Sequence, residues 1–292
     1  MDRRDTVAFV LFTLPIYVIL FAVLVYPVYF CAKMSLCEWD MGAATGKLIG
    51  FAHYRHLLTN SNFWLAFLNV AYIGGLSIPI ELILGFSIAL LINRAFEARG
   101  GIFNSLLAIP MMTAPVVSGL FWRWLLDPGI GIVNYFLSLV NIQSPPWFGT
   151  AFWARNMVVI ANVWQFTPFI LLVMYAGLQS LPKQCMEASI VDGATAFQRL
   201  RYITIPLLKR LFLFVLVIRS AEIIKSFDAI YVLTGGGPAS TTETPSIFTY
   251  KLAFNYLRMG RGAASGIIFL GFSLLLIILF IRILYLKEKE EW

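Results

Sequence analysis

Six long apolar runs dominate this chain of 292 residues. A helix needs about 20 residues to cross the hydrocarbon of a bilayer, and each run is long enough. Hydrophobic residues make up 60% of the chain and charged residues 13%, whereas a soluble domain has roughly 45–50% and 25%. A soluble fold could not bury this much apolar surface. We therefore predict a single-domain, all-α membrane protein over 1–292, with six transmembrane helices at about 8–32, 65–92, 102–126, 153–180, 207–233 and 264–286.

Prolines interrupt several of these runs and predict kinked or broken spans, because a proline removes one helical hydrogen bond. They are Pro15, Pro27, Pro79, Pro110, Pro115 and Pro168. The first run follows a basic start, as in a signal peptide, but it is too long and lacks a small-residue cleavage site. We expect it to be retained as the first span.

The lysines and arginines predict the orientation, since cytoplasmic segments of membrane proteins are enriched in them. With a cytoplasmic N-terminus, twelve of the 22 fall inside, including Arg94 and Arg99, and six fall outside. Both termini and the segment 181–206 are then cytoplasmic. The loop 127–152 lies outside and is expected to hold a short interfacial helix near 130–141. The same bias explains the net charge of +7 without a nucleic-acid partner.

The chain carries little that suggests catalysis. It contains no GxxxxGK[ST] phosphate loop, so it is not expected to hydrolyse nucleotide by that route. Its two histidines, His53 and His56, have no acidic partner at metal-binding spacing and are expected at the surface of an outer loop. We predict a chain that is not an enzyme and holds no metal.

The segment 181–206 is polar although apolar runs flank it on both sides. Pro182 suits the first turn of a helix, Glu187 and Asp192 supply acids, and Gly193 can end the helix. A second short helix follows, and Pro206 is expected to begin the next span. Physical reasoning leaves two interpretations open: a helix–turn–helix that docks on a partner protein, or an ordinary solvated loop.

The letters of this segment resemble a known motif. EASIVDGATAFQRLRYITIP is similar to the EAA loop of the permease subunits of bacterial ATP-binding-cassette importers. The positions that match the motif are Glu187, Ala188, Gly193, Ile203 and Pro206, and those that depart from it are Ser189 and Ile205. FDAIYVLTGGGPASTTET, residues 227–244, resembles a segment of the maltose-type carbohydrate permeases.

The resemblance implies a subunit of an importer in the bacterial cytoplasmic (inner) membrane. It implies a second, related permease as heterodimer partner, two copies of an ATPase that bind ATP and Mg, and an extracytoplasmic solute-binding protein that delivers a sugar-like substrate. No cofactor is expected on this chain. The resemblance makes the segment between spans four and five a cytoplasmic coupling helix, with ATPase-coupling residues Glu187, Ala188, Ser189, Asp192, Gly193 and Ala194.

Carried over by position, the resemblance also nominates substrate contacts before and after the coupling segment. They are Asn162, Trp164, Gln165, Phe166, Phe169, Ile223, Ser226 and Phe227. Sugars are bound by aromatic faces and polar groups near the middle of the membrane. The alternative is that the aromatic residues form a packing stripe.

Four charged residues at intervals of three lie in the fifth predicted span, where ionisable groups are costly. They are Arg219, Glu222, Lys225 and Asp228. One interpretation is a ladder of ion pairs along a single helix face. The other is that Arg219 or Lys225 meets an anionic polyol or acidic sugar. An ion-coupled secondary transporter would also explain the charges, but it would leave the patterned segment without a role.

Overall fold

The computed structural model describes residues 3–42, 46–95 and 100–289, and most of them are helical. The elements in chain order are α1 (Arg3–Leu20), a π-helical turn (Phe21–Val25), α2 (Tyr26–Ser35), β1 (Cys37–Glu38), β2 (Lys47–Leu48), α3 (Ala52–Leu58), α4 (Ser61–Ala95), α5 (Gly100–Leu107), α6 (Ile109–Met112), α7 (Pro115–Leu125), α8 (Ile132–Leu139), α9 (Ala151–Gln179), α10 (Lys183–Val191), α11 (Ala196–Arg199), a second π-helical turn (Leu200–Thr204), α12 (Ile205–Lys225), α13 (Asp228–Thr234), α14 (Pro245–Tyr250), a third π-helical turn (Lys251–Asn255) and α15 (Met259–Lys289). Arg99, one of the predicted cytoplasmic cations, lies outside the described residues.

Four helical segments within the described ranges are long and apolar enough to cross a membrane. They are Phe12–Ser35, Ser61–Ala95, Ala151–Gln179 and Met259–Leu279. They correspond to the first, second, fourth and sixth predicted spans. The last of these begins earlier than predicted, at Met259 instead of residue 264.

The third and fifth predicted spans are each divided into shorter helices. In the third, α6 ends at an extended residue, Thr113, and α7 begins at Pro115. This break follows from proline, which disfavours a helical conformation in the residue before it. In the fifth, α12 ends at Lys225, and α13 begins only at Asp228. The prediction of one span over 207–233 is therefore wrong at its C-terminal end.

Two of the π-helical turns each end two residues before a proline. Phe21–Val25 precedes Pro27, and Leu200–Thr204 precedes Pro206. A proline donates no backbone hydrogen bond and its ring crowds the carbonyl four residues earlier. A wider turn at that point relieves the crowding and keeps the helix continuous. Pro206 lies in the first turn of α12, and the chain stays helical from Ala196 to Lys225. That the fifth span begins at Pro206 remains a prediction.

The fold divides into two compact units. One comprises Met1–Trp64 and Pro245–Leu274, and the other comprises Leu65–Thr244 and Leu275–Trp292. In the first unit, His53 is buried, and its Nε2 lies 3.1 Å from the carbonyl oxygen of Cys37. The expectation of a surface histidine is wrong here, because the ring is buried with its Nε2 against the backbone of β1. Burial lowers the pKa of His53, which favours the neutral imidazole.

The second unit has its core where α4, α9 and α12 meet. The buried residues of this core are Phe86, Ala89, Ile170, Met174, Leu178, Leu208 and Val215. Phe86 and Phe212 make an edge-to-face contact at 5.0 Å between centroids. Glycines bring the helices together: a Cβ at Gly85 would lie 2.8 Å from Cγ2 of Ile170 and 3.0 Å from the backbone nitrogen of Leu171.

Replacing Gly85 with alanine is expected to lower the stability by about 1–3 kcal/mol, because the added methyl group meets backbone that cannot move aside. Gly75 on the same helix is the matched control, since a Cβ there meets nothing within 4 Å. Gly75→Ala should be neutral or stabilising by up to about 1 kcal/mol through helix propensity. Thermal unfolding of both purified variants in detergent measures the difference. Equal midpoints would contradict the close approach of α4 and α9.

The loop between α7 and α9 holds the short helix that was predicted near 130–141, here α8. The Asp127 carboxylate accepts hydrogen bonds from the backbone N–H groups of Gly129 and Ile130, which lower its pKa. The Trp147 indole donates to the amide oxygen of Asn134 at 2.7 Å. These bonds give the loop a defined structure, and its interfacial position remains a prediction.

Candidate functional site

The break between α12 and α13 forms one wall of a cavity of about 290 Å³. Ser226 and Phe227 leave the helical path there, with ψ of 122° at Ser226 and φ of −131° at Phe227. The hydroxyl of Thr244 donates to the carbonyl oxygen of Ser226 at 3.1 Å, which satisfies a carbonyl that the broken helix leaves open. In membrane proteins, helix interruptions are tolerated where they line a cavity.

Helix α9 forms the opposite wall. Asn162 and Gln165 are buried, and the Gln165 amide donates to the carbonyl oxygen of Thr113 at 3.1 Å. Thr113 is itself the extended residue at the break between α6 and α7. The cavity is thus built where two interrupted helices face α9, and the amides of α9 supply polar groups to it.

Six of the eight predicted substrate residues line this cavity. They are Asn162, Gln165, Phe166, Ile223, Ser226 and Phe227. Two do not. Trp164 stacks on Phe121, with centroids 5.5 Å apart and planes at 19°, and Phe169 packs against the α4–α9–α12 core. For these two the packing interpretation describes their position. Substrate contact by the other six remains a prediction.

A buried ion pair lies at the wall of the cavity. Arg219 on α12 is fully buried; its Nε and Nη2 donate to the two carboxylate oxygens of Glu81 on α4, at 2.8 and 3.0 Å. Its Nη1 donates to Glu222 at 2.6 Å. The Phe166 ring lies against the guanidinium, with 3.7 Å from Cζ to the ring centroid. One arginine therefore joins α4, α9 and α12.

The predicted ladder of four charges is wrong beyond its first step. Arg219 and Glu222 do pair, but α12 ends at Lys225 and Asp228 starts another helix. Within the described residues, neither Lys225 nor Asp228 lies at ion-pair distance from an opposite charge, and both are exposed. The main partner of Arg219 is Glu81, which the sequence reasoning missed. A signal existed: Glu81 is the only charged residue in the second predicted span, and such groups need partners.

The segment after α13 is held in place by two side chains. Gly235 and Gly236 have φ of 63° and 85°, a backbone conformation that glycine adopts at little cost. The Asn69 amide donates to the carbonyl oxygens of Ser240 and Glu243, at 2.8 and 2.9 Å. Arg155 donates to Thr241 O and to Asn69 Oδ1. The residues that follow LTGGGP are thus held by Asn69 and Arg155, and Thr244 at their end bonds the backbone at Ser226.

The predicted coupling segment forms two short helices joined by a tight turn. Helix α10 begins after Pro182 and ends at Val191, Asp192 is its C-terminal cap, and Gly193 has φ of 75°. Thr195 and Gln198 form a capping box at the start of α11, a pattern that the letters T-x-x-Q could have revealed. Of the predicted coupling residues, Glu187, Ala188, Asp192 and Gly193 are exposed, Ala194 is half-buried and Ser189 is buried.

Large apolar side chains are also exposed on this segment. Ile190, Val191 and Phe197 are 59%, 87% and 68% exposed. Because they lie beside exposed acids, they give the segment a mixed apolar and acidic surface. Such a composition suits contact with another protein better than contact with water. Sequence reasoning did not single out Ile190 and Val191, although they stand between the two acids.

Comparisons with known proteins all identify transport proteins. Residues 81–286 match the family described as "Binding-protein-dependent transport system inner membrane component". The chain is 34% identical over 278 residues to the trehalose/maltose transport system permease protein MalF of Thermococcus litoralis, covering 95% of this chain and 92% of that protein. It is 29% identical to the sulfoquinovosyl glycerol transport system permease protein SmoG of Agrobacterium fabrum, covering 99% and 94%.

A solved structure shares the fold. It is a bacterial ABC transporter involved in the import of the acidic polysaccharide alginate, one chain of which superposes with a TM-score of 0.82 at 23% identity. The superposition covers 97% of this chain and 96% of that one. At this identity the likeness speaks for the fold alone.

Proposed function

The chain belongs to the family of binding-protein-dependent transport system inner membrane components, and we propose that it is a permease subunit of an ATP-driven importer of a sugar or sugar-like solute. The observation that carries the proposal is the family match over 81–286, which contains both the cavity and the coupling segment. A permease subunit moves solute and does not catalyse a reaction.

We propose six membrane crossings with both termini in the cytoplasm of a bacterial cell. Four crossings are the long apolar helices. The other two are the divided segments α5–α7 and α12–α13, whose breaks border the cavity. The distribution of lysines and arginines supports this orientation. It puts the segment 181–206 in the cytoplasm and the loop 127–152 outside.

The partners follow from this role. We propose that two copies of an ABC ATPase, which bind ATP and Mg, dock on the coupling segment through Glu187, Asp192 and their apolar neighbours. A second, related permease would complete the pathway, and an extracytoplasmic binding protein would deliver the solute. A complex of the alginate transporter with a periplasmic protein bound to an alginate pentasaccharide supports the last partner.

A continuous helix supports mechanical coupling between the two sites. The chain is helical without interruption from Ala196, which follows the turn between α10 and α11, to Lys225 at the cavity. At 1.5 Å per residue this helix is about 45 Å long. A displacement of the coupling segment would therefore move Arg219, Glu222 and the cavity wall. Closure of the ATPase would change access to the cavity by this path.

A second candidate is an importer of an anionic solute. Lys225 is an exposed cation on the cavity, and SmoG is named for sulfoquinovosyl glycerol. An ion-coupled secondary transporter is a weaker candidate, since it gives no role to the exposed surface of the coupling segment.

Co-purification tests the proposal. The tagged chain, expressed with the genes that neighbour it, should retain an ATPase with a phosphate loop and a second permease through size-exclusion chromatography. As a matched control, the same preparation carrying Glu187→Lys and Asp192→Lys should lose the ATPase but keep the second permease. Recovery of the wild-type chain alone, with stable ATP-independent transport, would refute the proposal.

A further inference from the structure

The cavity exposes the acid of the Arg219–Glu222 pair and hides the base. The Arg219 side chain is completely buried, whereas the Glu222 side chain is 46% exposed. A solute in the cavity therefore meets the carboxylate of Glu222. It cannot reach the guanidinium without displacing Glu222 or Phe166, which covers one face of that group.

Glu81 is the reason that Arg219 is hidden. It accepts two parallel hydrogen bonds from Nε and Nη2, the bidentate arrangement that fixes a guanidinium most firmly. With Nη1 donating to Glu222, three of the five N–H donors of the guanidinium are bound to protein carboxylates. Glu81 comes from α4 and is not itself in the cavity wall, so it acts on the solute only through Arg219.

Glu81 also sets the net charge of the site. The charged residues that line the cavity are Arg219, Glu222, Lys225 and Asp228, and their formal charges cancel. Glu81 adds one negative charge next to Arg219, so that the site as a whole has a net charge of −1. In a medium of low dielectric such an excess acts over several ångströms. This excess charge repels an anion, whereas the carboxylate oxygens can accept hydrogen bonds from the hydroxyl groups of a sugar.

We propose that Glu81 is a positioning residue that withholds Arg219 from the cavity, and that the cavity in consequence takes a neutral polyhydroxylated solute whose hydroxyl groups donate to Glu222. A solute of the same size with an anionic group is rejected. This inference rests on the proposed function and names its substrate class. It assigns Glu222 as a substrate contact and turns the second candidate, an anionic solute, into an outcome of the test.

Charged thiol reagents measure the potential of the cavity directly. Ser226 lines it and differs from cysteine by one atom, so Ser226→Cys is introduced after Cys31, Cys37 and Cys185 are changed to serine. The rates of modification by a cationic and an anionic methanethiosulfonate are divided by their rates with a free thiol. The corrected ratio of the cationic rate to the anionic rate should be about five.

Two variants and one control make the result specific. Glu222→Gln and Glu81→Gln should each bring the ratio close to one, because each removes the single excess negative charge of the site. If Glu81→Gln does not fold, Glu81→Gln with Arg219→Gln replaces it and should keep the parent ratio, because the two charges cancel. Glu38→Gln removes an exposed carboxylate from the β1–β2 hairpin and should change nothing. A parent ratio below one, or a ratio unaffected by Glu222→Gln, overturns the proposal.

Protection of the thiol in the Ser226→Cys variant tests the substrate class. Glucose and glucuronate differ by one carboxylate and are compared at equal concentration and ionic strength. Glucose should slow labelling by an uncharged reagent more than glucuronate does. Equal or stronger protection by glucuronate, including no protection by either, overturns the assignment. Neither assay needs an ATPase or transport, so its failure is distinguishable from failure of the importer proposal.

Discussion

Replacing Gly193 with valine is expected to reduce ATP-dependent uptake about tenfold or more, the size of a typical coupling free energy between two sites. Gly193 has φ of 75°, which costs a non-glycine residue about 1–2 kcal/mol and a β-branched residue more. A Cβ there meets nothing within 4 Å, so the effect comes from the backbone. The turn between α10 and α11 would change its conformation, and the exposed residues of the coupling segment would no longer fit the ATPase.

Gly50 provides the matched control for this substitution. It has φ of 61° and equally free space around a Cβ, but it follows β2 in the other compact unit and is not part of the coupling segment. Gly50→Val should carry a similar backbone strain and retain uptake. Uptake by reconstituted importer, with protein amount and thermal midpoint measured for each variant, separates coupling from stability. Equal losses in both variants would show that strain alone is responsible.

Removing Glu81 is expected to destabilise the chain by about 3–5 kcal/mol, because it leaves Arg219 charged, buried and without its main partner. Glu81→Leu should lower the thermal midpoint in detergent by about 10 °C. Adding Arg219→Met should restore most of the loss, since a buried pair replaced by apolar groups of similar volume is often neutral.

Replacing Glu222 shows how much of the loss is due to burial, because Glu222 is a more exposed partner of the same arginine. It bonds the same arginine at 2.6 Å, but its side chain is 46% exposed. Glu222→Gln keeps a hydrogen-bonding group and removes a half-solvated charge, so it should cost about 1 kcal/mol or less. A loss as large as that of Glu81→Leu, or a double variant no more stable than the single one, would contradict this account of the pair.

The apolar runs were sufficient to predict the long helices, because span length and hydrophobicity are local properties. The predicted fourth span, 153–180, agrees with α9 at Ala151–Gln179. The break at Ser226 was not predictable in this way: no proline or glycine stands there, and a hydrogen bond from Thr244 maintains it. Local sequence does not contain that contact.

The candidate site was predictable only where residues act close to their neighbours in sequence. Six substrate candidates converge on one cavity, because α9 and the end of α12 carry them on their facing sides. The period of three suggested a ladder of charges on one helix, whereas the strongest pair, Glu81–Arg219, joins residues 138 positions apart. Trp164 is an aromatic residue of the right type, but Phe121 occupies its face.

Uptake of radiolabelled solute into proteoliposomes tests the central claim most directly. The vesicles would contain this chain, the second permease and the ATPase, with the binding protein outside and ATP inside. The account predicts accumulation that requires both ATP and the binding protein and that Gly193→Val reduces about tenfold. Accumulation by this chain alone, driven by a proton or sodium gradient without ATP, would contradict it.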